Sequence, residues 1–295
     1  MNNSNYAESA LPLVKKAIEE NFNSYYTENV YLPTVHRLLK VEKVTHLEWL
    51  FRVQYKGKVS AGQFMQVSLP RVGEVPISIA NFNEEEGWLD FLIRKVGKVT
   101  DEIFKLKEND RIFLRGPYGN GFPIDKYKNK NVILIVGGSG IAPVRPIIEY
   151  FYVHPEEVKS LKIIVGFKNI EGLIFKDEFD RWKEKFDVLI TLDNNEGAKD
   201  MNQGMVTKYI PDLFLPEDTS DYEFVVVGPP IMMHFTCLEV LKRNIPKEQI
   251  WVSFERRMSC AVGKCGHCKI DVYKRQSYNL YHLYFERNIS LIQEL

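Results

Sequence analysis

Near the end of the chain, the run ERRMSCAVGKCGHCKI (residues 255–270) holds Cys260, Cys265 and Cys268 at C-x4-C-x2-C spacing. Thiolates at these offsets can wrap one small metal centre, because two intervening residues close a tight loop and Gly263 and Gly266 let the backbone fold around sulfur. The spacing matches three of the four ligands of a plant-type [2Fe-2S] cluster. Zinc is the alternative, with His267 completing a three-cysteine, one-histidine set, although a side chain adjacent to Cys268 is poorly placed to reach the same metal. A fourth thiolate is missing, since no cysteine follows Cys268 in the sequence. Cys237 shares a helical face with Met233 and Leu241, and so reads as a core thiol rather than a ligand.

Two further stretches can bind phosphate. IVGGSGIAPVRP carries Gly137, Gly138 and Gly140 in a turn between an apolar run and a helix, with Pro143 near the helix start. Glycines allow close backbone approach, and a helix N-terminus presents free N–H groups to an anion. VVVGPPIMM places Gly228, Pro229 and Pro230 in a second turn of the same kind. Either turn alone can be a bare connection, and two of them at one sheet edge favour a nucleotide crevice over bare turns. Earlier in the chain, VPISIA sets Ser78 among apolar neighbours, and IRKVGKVT gathers Arg94, Lys95, Gly97, Lys98 and Thr100 before a helix. The second group suits another phosphate or a solvated strand end, and Ser78 by itself is an ordinary strand serine.

The elements that position these residues fall into two kinds. From Tyr31 to about Asp125 short alternating stretches predict strands: Trp49, Phe51, Val53 and Tyr55; Met65, Val67 and Leu69; Leu89, Phe91 and Ile93; and RIFLRGP. Turn residues between them predict a small antiparallel barrel, residues 31–125, with one helix over about Thr100 to Leu106 capped by Thr100. From about Lys130 the runs VILIV, KIIVGF, VLITL, FVVVG and IWVSF read as strands buried on both faces of a parallel sheet. Helical faces lie between them: Phe175, Phe179, Trp182 and Phe186, then Met233, Cys237, Val240 and Leu241. The fold class is thus an antiparallel barrel followed by a doubly wound α/β domain over residues 130–255, with Pro123 to Lys130 as hinge and a short cysteine segment at 256–270. Residues 1–30, with Leu11, Val14, Ile18 and Phe22 at helical spacing, predict an amphipathic helical extension.

Lys plus Arg and Asp plus Glu both number 39, so no net basic field favours nucleic acid or anionic lipid. No apolar run approaches a membrane span, and no leader-like segment opens the chain. Three of four cysteines within nine residues suit metal binding in a reducing compartment, and the expectation is a cytoplasmic protein.

Taken in order, PISI, VGKVTDEIF, GPYGNGF, GGSGIAPVRP, VVVGPP and ERRMSCAVGKCGHCKI resemble the ferredoxin-NADP reductase superfamily, and within it the family of anaerobic sulfite reductase B subunits. Electron-transfer subunits of dihydroorotate dehydrogenase and gamma subunits of sulfur-reducing hydrogenases are related families. The resemblance implies FAD in the barrel, NADH in the α/β domain and a [2Fe-2S] cluster at the cysteines, with electrons passing to a catalytic sulfite reductase subunit and a ferredoxin-like subunit. It implies that Ile77 and Ser78 face the isoalloxazine, Ser78 near N5. Arg94, Gly97, Val99 and Thr100 then hold the FAD diphosphate; Gly138, Ser139, Gly140 and Ile141 cradle the NADH pyrophosphate; and Gly228, Pro229 and Pro230 flank the nicotinamide. NADH over NADPH rests on the resemblance and on Asp193, in a region where a ribose can lie. Val75 and Ile77 replace the Arg and aromatic residue usual in the superfamily, which leaves FAD against FMN open. A nucleotide-binding scaffold without electron transfer is the alternative of a different class. After Ile270 the chain departs from the family: DVYKRQ resembles translated library-adaptor sequence, and the expectation is that residues 271–295 are not native.

Overall fold

The computed structural model describes residues 31–199, 201–253, 259–262 and 265. The helix expected over 1–30, Cys268, His267 and the 271–295 tail lie outside the described residues.

Six strands, β1 (Thr34–Lys43), β2 (Glu48–Gln54), β3 (Phe64–Leu69), β4 (Gly73–Asn83), β5 (Trp88–Arg94) and β6 (Arg111–Tyr118), close into a barrel in the order β1-β2-β5-β4-β3-β6. Every neighbouring pair is antiparallel. Alternation decides which side each residue takes. Phe51, Met65, Val67, Ile79, Phe91 and Leu114 fill the interior, which turns Arg52, Gln66, Ser78, Asp90 and Arg115 outward. The helix after β5, α1, runs from Lys98 to Ile103 and so starts before Thr100. Thr100 sits one turn in and caps backwards: its hydroxyl accepts from the N–H groups of Val96 and Gly97, each at 3.0 Å, and donates to the Gly97 carbonyl at 2.9 Å.

The second half is a six-stranded parallel sheet in the order β10-β9-β8-β7-β11-β12. Its members are β7 (Asn131–Gly137), β8 (Ser160–Phe167), β9 (Asp187–Leu192), the two-residue β10 (Asn202–Gln203), β11 (Tyr222–Val227) and β12 (Ile250–Ser253). The first of these strands to form in sequence, β7, lies mid-sheet. The chain winds outward from it through β8 and β9, then returns to its other side with β11. Helices α2 (Ile141–Val153), α3 (Lys176–Lys183) and α4 (Pro230–Lys242) cover the faces. Phe179 and Trp182 of α3 are fully buried, as their spacing predicts, and so are Met233, Cys237 and Val240 of α4. No helix among the described residues is long and apolar enough to cross a membrane.

The halves share a core. Leu50, Ala80 and Leu92 on the outer face of β2, β4 and β5 join the cluster that contains Ile141, Ala142 and Val144 of α2. The segment between the halves makes a single turn, Ile124–Tyr127, whose Tyr127 ring is fully buried and meets Trp251 edge-on at 6.0 Å. Above the apolar contact runs a chain of charges. Arg52 holds Asp90 at 2.7 and 3.0 Å, Arg145 of α2 reaches the same carboxylate at 3.4 Å, and Arg145 grips Glu178 of α3 with two 2.7 Å bonds. Asp90 is fully buried and Arg145 nearly so, a burial that partners on both sides make tolerable.

Candidate functional site

In an open parallel sheet, ligands lodge beyond the carboxyl ends of the strands where the winding direction reverses. Here that point lies between β7 and β11, and the two loops leaving those strands are the two Gly/Pro turns singled out in the sequence. They touch each other. A methyl group added at Gly140 would meet the Val227 carbonyl oxygen at 2.7 Å; at Gly137 it would lie 3.0 Å from Pro229 and closer still to the Met232 sulfur. At Gly228 it would lie 3.1 Å from the Gly137 nitrogen. These three glycines therefore let the two loops close on one another. Gly138 differs: its φ of +54° is left-handed, and a Cβ there would meet nothing within 4 Å. Gly138 is thus the glycine that faces open space, beside exposed Ser139, and Ile141 is buried at the first turn of α2. Pro229 and Pro230 are exposed on the opposite lip. Asp193 is exposed just past the end of β9.

Ser78 lies on the outer face of β4, between Pro76 and Ala80. Ala80 belongs to the interdomain core, so Ser78 is one outward step from the α/β domain. Ile77 takes the other side and packs against the barrel interior, which leaves its backbone, more than its side chain, to an outer-face ligand. Val99 likewise packs inward, and the Thr100 hydroxyl is spent on its own loop. Arg94 is exposed, with one ion pair to Glu48 at 3.4 Å, and Gly97 has open space around it. Of the residues expected to hold a diphosphate in the barrel, Arg94 and the Gly97 backbone are the ones turned outward. A cavity of about 460 Å³ lined by His36, Arg37, Tyr55 and Arg111 contains none of the expected site residues.

Residues 259–261 rest on the barrel face that carries Ser78. Ser78 pairs across the strands with Phe64, and Phe64 with Tyr118. Ala261 packs against both rings. The Cys265 N–H points to the Cys260 sulfur at 3.4 Å, the kind of amide-to-sulfur donation that favours a thiolate bound to metal. Cys260 is half-buried and Cys265 exposed. Cys237 is buried in the sheet core, and burial pushes its thiol up to about 12. It is no candidate for the fourth thiolate.

Arg115 was not among the residues that sequence reasoning singled out. Its side chain is 6% exposed and ion-pairs with Glu74, its Nε and Nη2 meeting the carboxylate at 2.9 and 2.5 Å. Burial works against its charge, but the bonds to Glu74 and Tyr118 outweigh it and hold the pKa above the ordinary arginine value. Gln66, beside it on the same face, is buried with neither amide atom partnered. Buried polar groups left without partners are rare and concentrate where ligands bind. The unspent amide thus fits a polar group on this face, as the open space at Gly97 and Gly138 fits phosphates.

Residues 36–122 match the oxidoreductase FAD-binding domain family and residues 134–238 the oxidoreductase NAD-binding domain family. The chain is 32% identical over 271 residues to the sulfhydrogenase 1 subunit gamma of Pyrococcus furiosus, covering 88% of this chain and 89% of that one. It is 34% identical over 223 residues to the probable dihydroorotate dehydrogenase B electron transfer subunit of the same organism, at 76% and 79% coverage. Among solved structures, the NADH-dependent reduced ferredoxin-NADP oxidoreductase superposes with a TM-score of 0.67 at 29% identity, over 81% of this chain and 83% of that one.

Proposed function

The chain belongs to the ferredoxin-NADP-reductase-like FAD- and NAD-binding oxidoreductases, and from that premise we propose that it is the electron-input subunit of a larger cytoplasmic reductase. It would hold FAD in the barrel and receive NADH at the α/β domain, and Cys260, Cys265 and Cys268 would hold a group that supplies the electron exit toward a catalytic partner. The observation that carries this reading is the junction: β4, the strand of Ser78, packs with Ala80 in the core shared with α2, the helix that follows the first glycine loop.

Bound FAD supplies the conversion of a two-electron hydride into single electrons. The chain's own residues do the rest by placement. Ser78 offers its hydroxyl to the flavin edge, and Arg94 with the Gly97 backbone meets the diphosphate. The open left-handed turn at Gly138, with Ser139, admits the nicotinamide nucleotide's pyrophosphate to the start of α2. Pro229 and Pro230 press the nicotinamide toward the barrel, and Asp193 accepts from the ribose hydroxyls, which favours NADH over a 2′-phosphate. Three thiolates fit a [2Fe-2S] cluster only in part, and the fourth ligand has to come from outside the family motif present here.

The ERRMSC…GKCGHCKI segment supports anaerobic sulfite reductase as the partner. A second destination, a sulfur-reducing hydrogenase, has its own support in the 32% identity across nearly the whole gamma subunit. Anaerobic purification tests the proposal. A yellow protein whose flavin absorbance bleaches with NADH is the expected result, with iron and acid-labile sulfide below one [2Fe-2S] cluster per chain because a fourth thiolate is lacking. A colourless protein indifferent to NADH would leave only a nucleotide-binding scaffold. Proteins copurifying from the native source separate the two destinations.

A further inference from the structure

The guanidinium of Arg115 has five N–H groups, and each has an acceptor. Nε donates to Glu74 at 2.9 Å. Nη2 donates to Glu74 at 2.5 Å and to the Ser259 carbonyl at 2.8 Å. Nη1 donates to the Tyr118 hydroxyl at 3.1 Å and to the Cys260 carbonyl at 2.8 Å. Two of the five bonds thus cross to a segment 144 and 145 residues later in the chain, at the first cysteine of the motif and its neighbour. The next residue, Ala261, sits in a left-handed turn at φ +63° and is buried in one apolar cluster with Phe64 and Tyr118.

We propose that Arg115 is the positioning residue of the cysteine site: it docks the loop beginning at Ser259 on the outer face of β3, β4 and β6, and so fixes the group held by Cys260 and Cys265 relative to Ser78. What is positioned rests on the function proposed above; the docking rests on the geometry alone. A lysine cannot replace the arrangement, because an ammonium has three donors and no planar fork, whereas the guanidinium clasps Glu74 on one edge and two carbonyls on the others. Glu74 in turn holds the fork in register with β4, the strand that carries Ser78. The loop is therefore tied to the flavin-facing strand through two side chains, with no intervening loop to flex.

Thiol labelling tests this on the full-length, reduced, chelator-treated protein, with iodoacetamide as the probe and each cysteine quantified by mass spectrometry. Losing the hydrogen bonds of a charged donor frees the loop, so Arg115→Gln is expected to raise the Cys260 labelling rate about tenfold or more through local opening. Arg115→Lys is expected to fall between Arg115→Gln and the parent. Cys237, buried in the sheet core, is the internal control and stays protected in all three. An unchanged Cys260 rate in Arg115→Gln would overturn the docking role. So would a Cys237 rate that climbs together with that of Cys260, because the arginine would then be holding the whole fold rather than the loop. Loss of flavin binding or NADH response in the parent protein would sink the proposed function and leave the labelling result standing.

Discussion

Ser78 and Ile77 are neighbours in the chain and occupy opposite faces of the barrel wall, and the difference follows from strand alternation alone. With Val75, Ile77 and Ile79 all packed on the interior cluster, the hydroxyl of Ser78 is the polar side chain that β4 turns outward next to the second domain. Ser78→Ala is expected to keep the flavin bound and to slow its reduction by NADH about tenfold, the worth of one hydrogen bond made during the reaction. Stopped-flow bleaching against flavin content per chain measures it. The sequence showed Ser78 as a residue of interest through its motif, while Arg115 was not legible. The second arginine of RIFLRGP reads as a solvated strand position, and the carbonyls it bonds lie 144 and 145 residues away. Thr100 was half legible: its capping chemistry was correct, but the hydroxyl reaches backward from within the helix rather than forward from its start.

At the scale of elements, the strands were the easiest part to read. Runs such as VILIV and FVVVG have no polar position to hide, because both faces of β7 and β11 are covered by helices. The two-residue β10 carries no such signal. The glycine loops marked the sheet edge where a nucleotide site is proposed but not which glycines pack and which faces open space, since that depends on the contact between two loops some ninety positions apart. The structure distinguishes the packed glycines from the open one, and two substitutions test the proposed site. Gly140→Ala drives a methyl into the Val227 carbonyl oxygen and is expected to destabilise the protein by about 1–3 kcal/mol. Gly138→Ala meets open space but a left-handed backbone, a strain of about 1–2 kcal/mol. Its larger expected effect is a rise in the KM for NADH. NADH titrations are expected to show the larger KM rise at Gly138→Ala, while thermal melts show a loss at both variants.

For the whole molecule, the charge chain Arg52–Asp90–Arg145–Glu178 and the shared apolar core make one body of two domains. Arg145→Ala would leave half-buried Glu178 without its cation and buried Asp90 with Arg52 alone, a loss of about 3 kcal/mol, the low end for breaking a buried pair. Its pH dependence has a definite sign. Burial raises the Glu178 pKa above the ordinary carboxylate value, with Arg145 pulling it down. A raised carboxyl contributes stability that is complete below its unfolded pKa and is lost as pH climbs through the folded value. Removing Arg145 raises that folded value further, so the stability gap between variant and parent should be wider at about pH 8 than at about pH 5, as urea unfolding at both would measure. The joint has one more consequence. Along the outer face of β4, Glu74 leads through Arg115 to the cysteine loop, Ala80 abuts the nucleotide domain, and Ser78 stands between them. The strand therefore has two ports at opposite ends. On the function proposed above, nicotinamides would come and go at one while a partner protein stays attached at the other, so the throughput of the assembly would not depend on how quickly the partner lets go.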